Sequence, residues 1–177
     1  MFARPNASHS QVAYVTNDIE AAAAMMEAQF GAPGFFIFSN VQPGMEQAGG
    51  AELRIGLTRV GGIEIELIEP LGGTAPLFSD VLPDGDGDSL VVRFHHVCSR
   101  IEGPIANWDA HIASIDTDLH PIVFSGALGE DMRFAYTDER ATLGHHVEHV
   151  WYSPAMLAQI LAATPTYPAP AETGKVQ

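Results

Sequence analysis

The chain repeats itself. Phe38-Ser39-Asn40 has a counterpart in Phe124-Ser125-Gly126, and Arg54-Ile55-Gly56-Leu57-Thr58 has one in Arg133-Phe134-Ala135-Tyr136-Thr137. Gln11-Val12-Ala13-Tyr14-Val15 corresponds to His96-Val97-Cys98-Ser99-Arg100, and Glu64-Ile65-Glu66-Leu67-Ile68 to His146-Val147-Glu148-His149-Val150. The partners lie roughly eighty positions apart and keep one order, which argues for two copies of a single supersecondary unit.

In the first copy, Gln11 to Thr16 is rich in β-branched and aromatic residues and ends at Asn17-Asp18, a helix-capping dipeptide. Asp18 to Phe30 has high helix propensity through its alanine run and is stopped by Gly31-Ala32-Pro33-Gly34. Strands are expected over Phe35–Asn40, Ala51–Thr58 and Ile63–Glu69. The second copy reads alike: a strand over Val91–Ser99, a helix from Gly103-Pro104 to Asp116, then strands over Pro121–Ser125, Met132–Thr137 and His145–Trp151. The expected class is α+β, a single domain over 1–177 of two βαβββ modules (9–70 and 91–151) in tandem, forming a curved mixed sheet around a metal-binding cleft. A short helix follows Ser153-Pro154, and a loose tail runs from Pro165 to Gln177. The joining segment, 83–89, resembles a calcium loop only superficially. Ser89 stands where the sharp-turn glycine belongs and His95 where the bidentate glutamate belongs, so it reads as a solvated acidic linker.

A polar residue in mid-strand, where one face must be buried, needs a reason. Gln11, Glu66, His96 and Glu148 are such residues and match pairwise across the copies. If the modules pack about a pseudo-twofold axis, these four side chains share one cavity. Two carboxylates, an imidazole and an amide oxygen suit a divalent ion such as Zn, Ni, Co, Mn, Mg or Fe. His9 competes with Gln11 by strand alternation, and Glu64 and Glu69 compete with Glu66; alternation also puts His95 and His96 on opposite faces.

Composition narrows the partners. Eight Lys+Arg against 22 Asp+Glu leave a formal −14, which repels nucleic acid and anionic membranes. The sole lysine, Lys175, lies in the tail, so no core lysine is available for a Schiff base or a P-loop. One cysteine, no signal-peptide core and no long apolar run lead to the expectation of a cytoplasmic enzyme.

The motifs Gln11-Val12-Ala13-Tyr14-Val15-Thr16-Asn17-Asp18, Ile65-Glu66-Leu67-Ile68-Glu69-Pro70, Phe94-His95-His96-Val97 and Gly144-His145-His146-Val147-Glu148 resemble the vicinal oxygen chelate superfamily. It includes glyoxalase I, methylmalonyl-CoA epimerase, extradiol dioxygenases and bleomycin-resistance proteins. The resemblance spans roughly residues 11–151 and implies metal binding by Gln11, Glu66, His96 and Glu148, with frequent homodimers. It implies a lyase or isomerase that stabilises an enolate after proton abstraction beside a carbonyl.

In glyoxalase-like sites the closing glutamate, here Glu148, also serves as base. In epimerase-like sites a third-strand glutamate does so, which is Glu52 here. If Glu52 faces inward, Arg54 does too and suits a substrate carboxylate or phosphate; the opposite parity, with Leu53, Ile55 and Leu57 inside, stays open. Phe36 and Phe134, with Phe35, Phe38 and Tyr136, would supply apolar substrate walls, and His146 is a further substrate-binding candidate. The few basic residues count against glutathione and coenzyme A and favour a smaller or more apolar carbonyl compound. An extradiol-type dioxygenase would need two histidine ligands, so it depends on His9. A non-enzymatic ligand-sequestering protein of the bleomycin-resistance kind is the alternative from another class.

Overall fold

The computed structural model describes residues 5–40, 50–73, 76–83 and 89–169. Most of the acidic linker (84–88), Lys175 and the tail beyond 169 lie outside the described residues. The first module comprises β1 (Ala7–Thr16), α1 (Ile19–Phe30), β2 (Phe36–Ser39), β3 (Ala51–Val60) and β4 (Ile63–Gly73). A single helical turn, α2 (Pro76–Ser79), leads to the second module: β5 (Val92–Ile101), α3 (Ile105–Ala113), β6 (Ile122–Leu128), β7 (Met132–Asp138) and β8 (His146–Tyr152). The helix α4 (Pro154–Ala163) and the two-residue strand β9 (Thr166–Tyr167) follow.

The expected two βαβββ units are therefore present, joined edge to edge in one curved mixed sheet of order β2-β3-β4-β1-β5-β8-β7-β6. The central β1 and β5 are antiparallel, while β4 and β8 lie parallel to them on either side. Gln11 lies opposite Cys98 and Ala13 opposite His96, the register a pseudo-twofold axis between the strands requires.

Local chemistry fixes the helices. The Asp18 side chain accepts from the Ala21 N–H at 3.0 Å, satisfying one orphan donor of α1, and Gly31 ends the helix at φ 71°, a left-handed cap that suits a residue without Cβ. On the convex face α1 buries Ile19, Ala22, Ala23 and Met26 against Leu67, while Trp108 of α3 packs with Ile101, Ala135 and Trp151. The concave face holds a third cluster shared by both modules, including Ala13, Val15, Ile68, Cys98, Phe134 and Tyr136. Phe78 of α2 is inserted into it at 1% exposure.

The start of the expected loose tail is not loose. Thr166 and Tyr167 pair with Arg59 and Val60, and Arg59 N–H donates to the Pro165 carbonyl at 2.9 Å. The chain after β8 thus returns from the second module to the edge of the first.

Candidate metal and substrate site

Two β-bulges set the geometry. The β1/β5 ladder slips between His9 and Gln11, leaving Ser10 unpaired, and again opposite Ala13–Tyr14, leaving His95 unpaired. These residues are repeat equivalents, each just before a candidate ligand. A bulge reverses the alternation of side chains across it. His9 is paired with Ser99, on the convex parity, and is exposed, whereas Gln11 and Cys98 are buried on the concave parity. His9 is thereby removed as an alternative to Gln11. The expectation that His95 and His96 point apart is also overturned: their Nδ1 atoms are 2.8 Å apart and both rings are buried.

Glu66, His96 and Glu148 come together. His96 Nε2 lies 3.5 Å from Glu66 Oε2 and 3.4 Å from Glu148 Oε2, with His96 wholly buried. Tyr136 Oη donates to Glu148 Oε1 at 3.0 Å. Gln11 is buried on the same face, paired with Glu64 on β4.

The tautomers follow from the bonds. Leu77 O can only accept, so His95 Nε2, at 2.9 Å, carries a proton. Burial first, then the neighbouring His96, pushes the His95 pKa down to about 3, so the ring is neutral and its Nδ1 accepts. His96 Nδ1 must then be the donor, which leaves His96 Nε2 as the nitrogen that faces the two carboxylates. His96 Nε2 and Glu66 Oε2 have no hydrogen-bond partner although both are buried, and such orphans call for an ion or a proton. Burial and the Glu148 charge push Glu66 well above the usual carboxylate range. Burial opposes the Glu148 carboxylate as well, but His96, Cys98 and Tyr136 together hold it below its ordinary value.

The orphaned atoms and the nitrogen–oxygen donor set fit a divalent ion. Donors bonded at about 2.1 Å stand about 3.0–3.5 Å from one another in octahedral or tetrahedral shells, the range that spans both separations here. The carboxylates are not yet gathered about a common centre: among the described residues no three His, Cys, Asp or Glu side chains are so arranged.

Above this floor opens a cavity of about 520 Å³. Phe36, Phe38, Phe124, Phe134 and Met132 form much of its wall, and Glu64, Glu66 and Glu148 its acidic end. Phe36 and Phe134 thus stand where the sequence suggested, while Phe35 packs with α1 on the convex side. Burial, offset in part by Arg59, raises Glu64 to about 7.

Three other candidates do not reach the cavity. Leu53, Ile55 and Leu57 point into it, so Glu52 and Arg54, of opposite parity, face away. Arg54 instead bonds Glu20 of α1 and Glu69 on β4. His146 lies under a separate recess of about 190 Å³ with Leu77, Asp80 and Arg140, its ring stacked 4.9 Å from that of His95. Sequence reasoning missed His95 as the partner of His96, Tyr136 as a donor rather than a wall, and the contribution of α4. The first two sit beside a ligand in a repeat-matched strand, but nothing in the sequence marked the bulge.

A model of the Glyoxalase/Bleomycin resistance protein/Dioxygenase superfamily matches residues 10–136. Among curated proteins none matches the chain. Among solved structures, methylmalonyl-CoA epimerase from Mycobacterium tuberculosis is similar at TM-score 0.57 and 14% identity, covering 89% of this chain and 97% of that one. A hypothetical protein from Bacillus halodurans C-125 gives TM-score 0.56 at 12% identity, covering 84% and 96%. A methylmalonyl-CoA epimerase variant from Streptomyces coelicolor, in complex with 2-nitronate-propionyl-CoA, gives 0.55 at 16%, covering 82% and 94%. At these identities the likeness is one of fold.

Proposed function

Because the chain belongs to the Glyoxalase/Bleomycin resistance protein/Dioxygenase superfamily, we propose that it is a divalent-metal-dependent lyase or isomerase. In this reading it removes a proton from the carbon beside a carbonyl of a small molecule and stabilises the enolate. The observation that carries the reading is the buried His96 Nε2, without a hydrogen-bond partner, facing Glu66 and Glu148 at 3.4–3.5 Å. His96, Glu66, Glu148 and Gln11 would hold the ion. When bound, a divalent ion supplies Lewis-acid polarisation of a carbonyl oxygen.

The chain's own residues do the rest. His95, anchored on Leu77 O, fixes the His96 tautomer so that its free nitrogen faces the floor. Tyr136 holds one oxygen of Glu148 and orients the other. Glu148 is the proposed base, since it lines the cavity while Glu52 does not. The aromatic wall excludes water from the place where the proton moves.

The extradiol-dioxygenase alternative loses the second histidine it needed, because His9 is on the other face and both His95 nitrogens are engaged. Sequestration without chemistry keeps one supporting observation, an apolar cavity with an acidic end. A homodimer and a cytoplasmic location belong to the same proposal; among the described residues no helix is long and apolar enough to cross a membrane.

Proton abstraction is tested by incubating metal-loaded protein with a panel of neutral ketones and aldehydes in D₂O. Deuterium appearing beside the carbonyl, and absent with Glu148→Gln, supports the enzyme. Tight binding of panel members without exchange gives the sequestering reading precedence.

A further inference from the structure

We propose that the cavity takes an uncharged, largely apolar ring-bearing or branched molecule, and that α4, which belongs to neither repeat, is the wall that selects it. This rests on the reading of the cavity as the substrate site.

Met156, Gln159, Ile160 and Ala163 line the cavity, at the spacing that places them on one helical face. The helix is anchored at both ends. Ser153, before its first turn, bonds Asp131 in the β6–β7 turn through both backbone and hydroxyl. Beyond its last turn the Pro165 carbonyl accepts from Arg59 of β3. The helix therefore bridges from the second module to the first across the cavity. Its sequence, Pro-Ala-Met-Leu-Ala-Gln-Ile-Leu-Ala-Ala, is almost wholly apolar, yet none of its residues is buried. An anchored stripe of three apolar side chains and one uncharged amide, facing open volume, gains its burial when a ligand of the same character fills that volume.

Charge identifies that ligand further. Among the described residues, Glu64, Glu66 and Glu148 line the cavity and no Lys or Arg does. Most of the described arginines are engaged elsewhere: Arg54 with Glu20 and Glu69, Arg100 with Glu102, Arg133 with the Gly129 carbonyl and Arg140 with Asp138; Arg59 bonds the Gly62 carbonyl and offsets part of the charge of Glu64, its neighbour across the ladder, and neither it nor Arg93 lines the cavity. A divalent ion at the floor against three carboxylates leaves no positive surplus to hold an anion. The phosphates of a coenzyme A thioester would find no counter-charge among the described residues that line the cavity, and an unpaired charge near like charges is costly. The walls instead offer ring faces: Phe36 and Phe38 stack at 5.2 Å, and Phe124 meets Phe134 at 5.4 Å. About 520 Å³ lies within the range that accepts a drug-sized molecule.

The test titrates N-phenyl-1-naphthylamine, a neutral fluorescent probe, into the full chain, in EDTA and after metal loading. Wild type is expected to bind it at micromolar concentration, with no displacement by millimolar acetyl-CoA. Filling the cavity with Ile160→Trp or, independently, Ala163→Phe should weaken binding by about tenfold or more, whereas Leu161→Trp on the exposed side of α4 should not. Thermal melts show which variants keep the fold. Displacement by acetyl-CoA, absence of probe binding, or unchanged binding in a folded cavity-filling variant would overturn the proposal. Probe binding without metal uptake would end the metal reading and leave this one standing; metal uptake without probe binding would do the reverse.

Discussion

His95 Nδ1 accepts a hydrogen bond from His96 Nδ1 at 2.8 Å, and this pairing decides which nitrogen His96 presents to Glu66 and Glu148. Replacing His95 with alanine removes the acceptor and frees the ring to adopt the other tautomer. Metal affinity is expected to fall about 10–100-fold, the usual cost of losing the partner behind a ligating histidine. Calorimetric titration with Zn and Ni checks this, and His95→Gln, whose amide oxygen can accept, should recover part of the loss.

Tyr136→Phe takes one donor from a buried carboxylate. Metal-free protein should lose about 1.5–3 kcal/mol in urea unfolding at neutral pH. The loss should shrink as pH falls and Glu148 protonates, since the bond to the charged form is the stronger one.

Glu64 and His95 pull stability in opposite directions. The folded Glu64 pKa is raised to about 7 from 4.5, so its carboxyl contributes stability that is fully present below pH 4.5 and lost as pH rises through 7. The folded His95 pKa is lowered to about 3 from 6.5, so its neutral ring contributes stability present above pH 6.5 and lost as pH falls towards 3. Between about pH 4.5 and 6.5 the two slopes offset each other. Metal-free Glu64→Gln should therefore gain on wild type across pH 4.5–7, by up to about 3 kcal/mol at the plateau above pH 7. Denaturant unfolding across that range reads the difference.

Glu52→Gln and Arg54→Ala should leave metal binding and probe affinity unchanged, because both residues lie on the helix side of β3. Arg54→Ala should cost at most about 1 kcal/mol of stability, as expected of a partly exposed ion-pair cluster. A change in metal stoichiometry in either variant would place these side chains in the cavity after all.

The repeat made the fold legible. Once Gln11 is matched with His96 and Glu66 with Glu148, the pairing of β1 with β5, and of each with its last strand, brings the four residues onto one face. Illegible were features that break periodicity without a marker residue. The bulges at Ser10 and His95 contain no glycine or proline, yet they turn His9 outward and His95 inward. The parity of β3 was undecidable because Glu52 and Arg54 alternate with Leu53 and Ile55, and either set reads as an inner face until α1 brings Glu20 to Arg54. Phe78 and α4 lie outside the repeat, so no internal match pointed to a core plug between the modules or a wall beyond the second.

The central claim is that the His96–Glu66–Glu148 floor holds a divalent ion, and its most direct measurement is metal content by mass spectrometry after reconstitution and exhaustive dialysis. One ion per chain is expected for wild type, falling to a small fraction in Glu148→Gln and Glu66→Gln that retain the wild-type circular dichroism spectrum. Wild-type protein without stoichiometric metal, or folded variants that keep it, would contradict the claim.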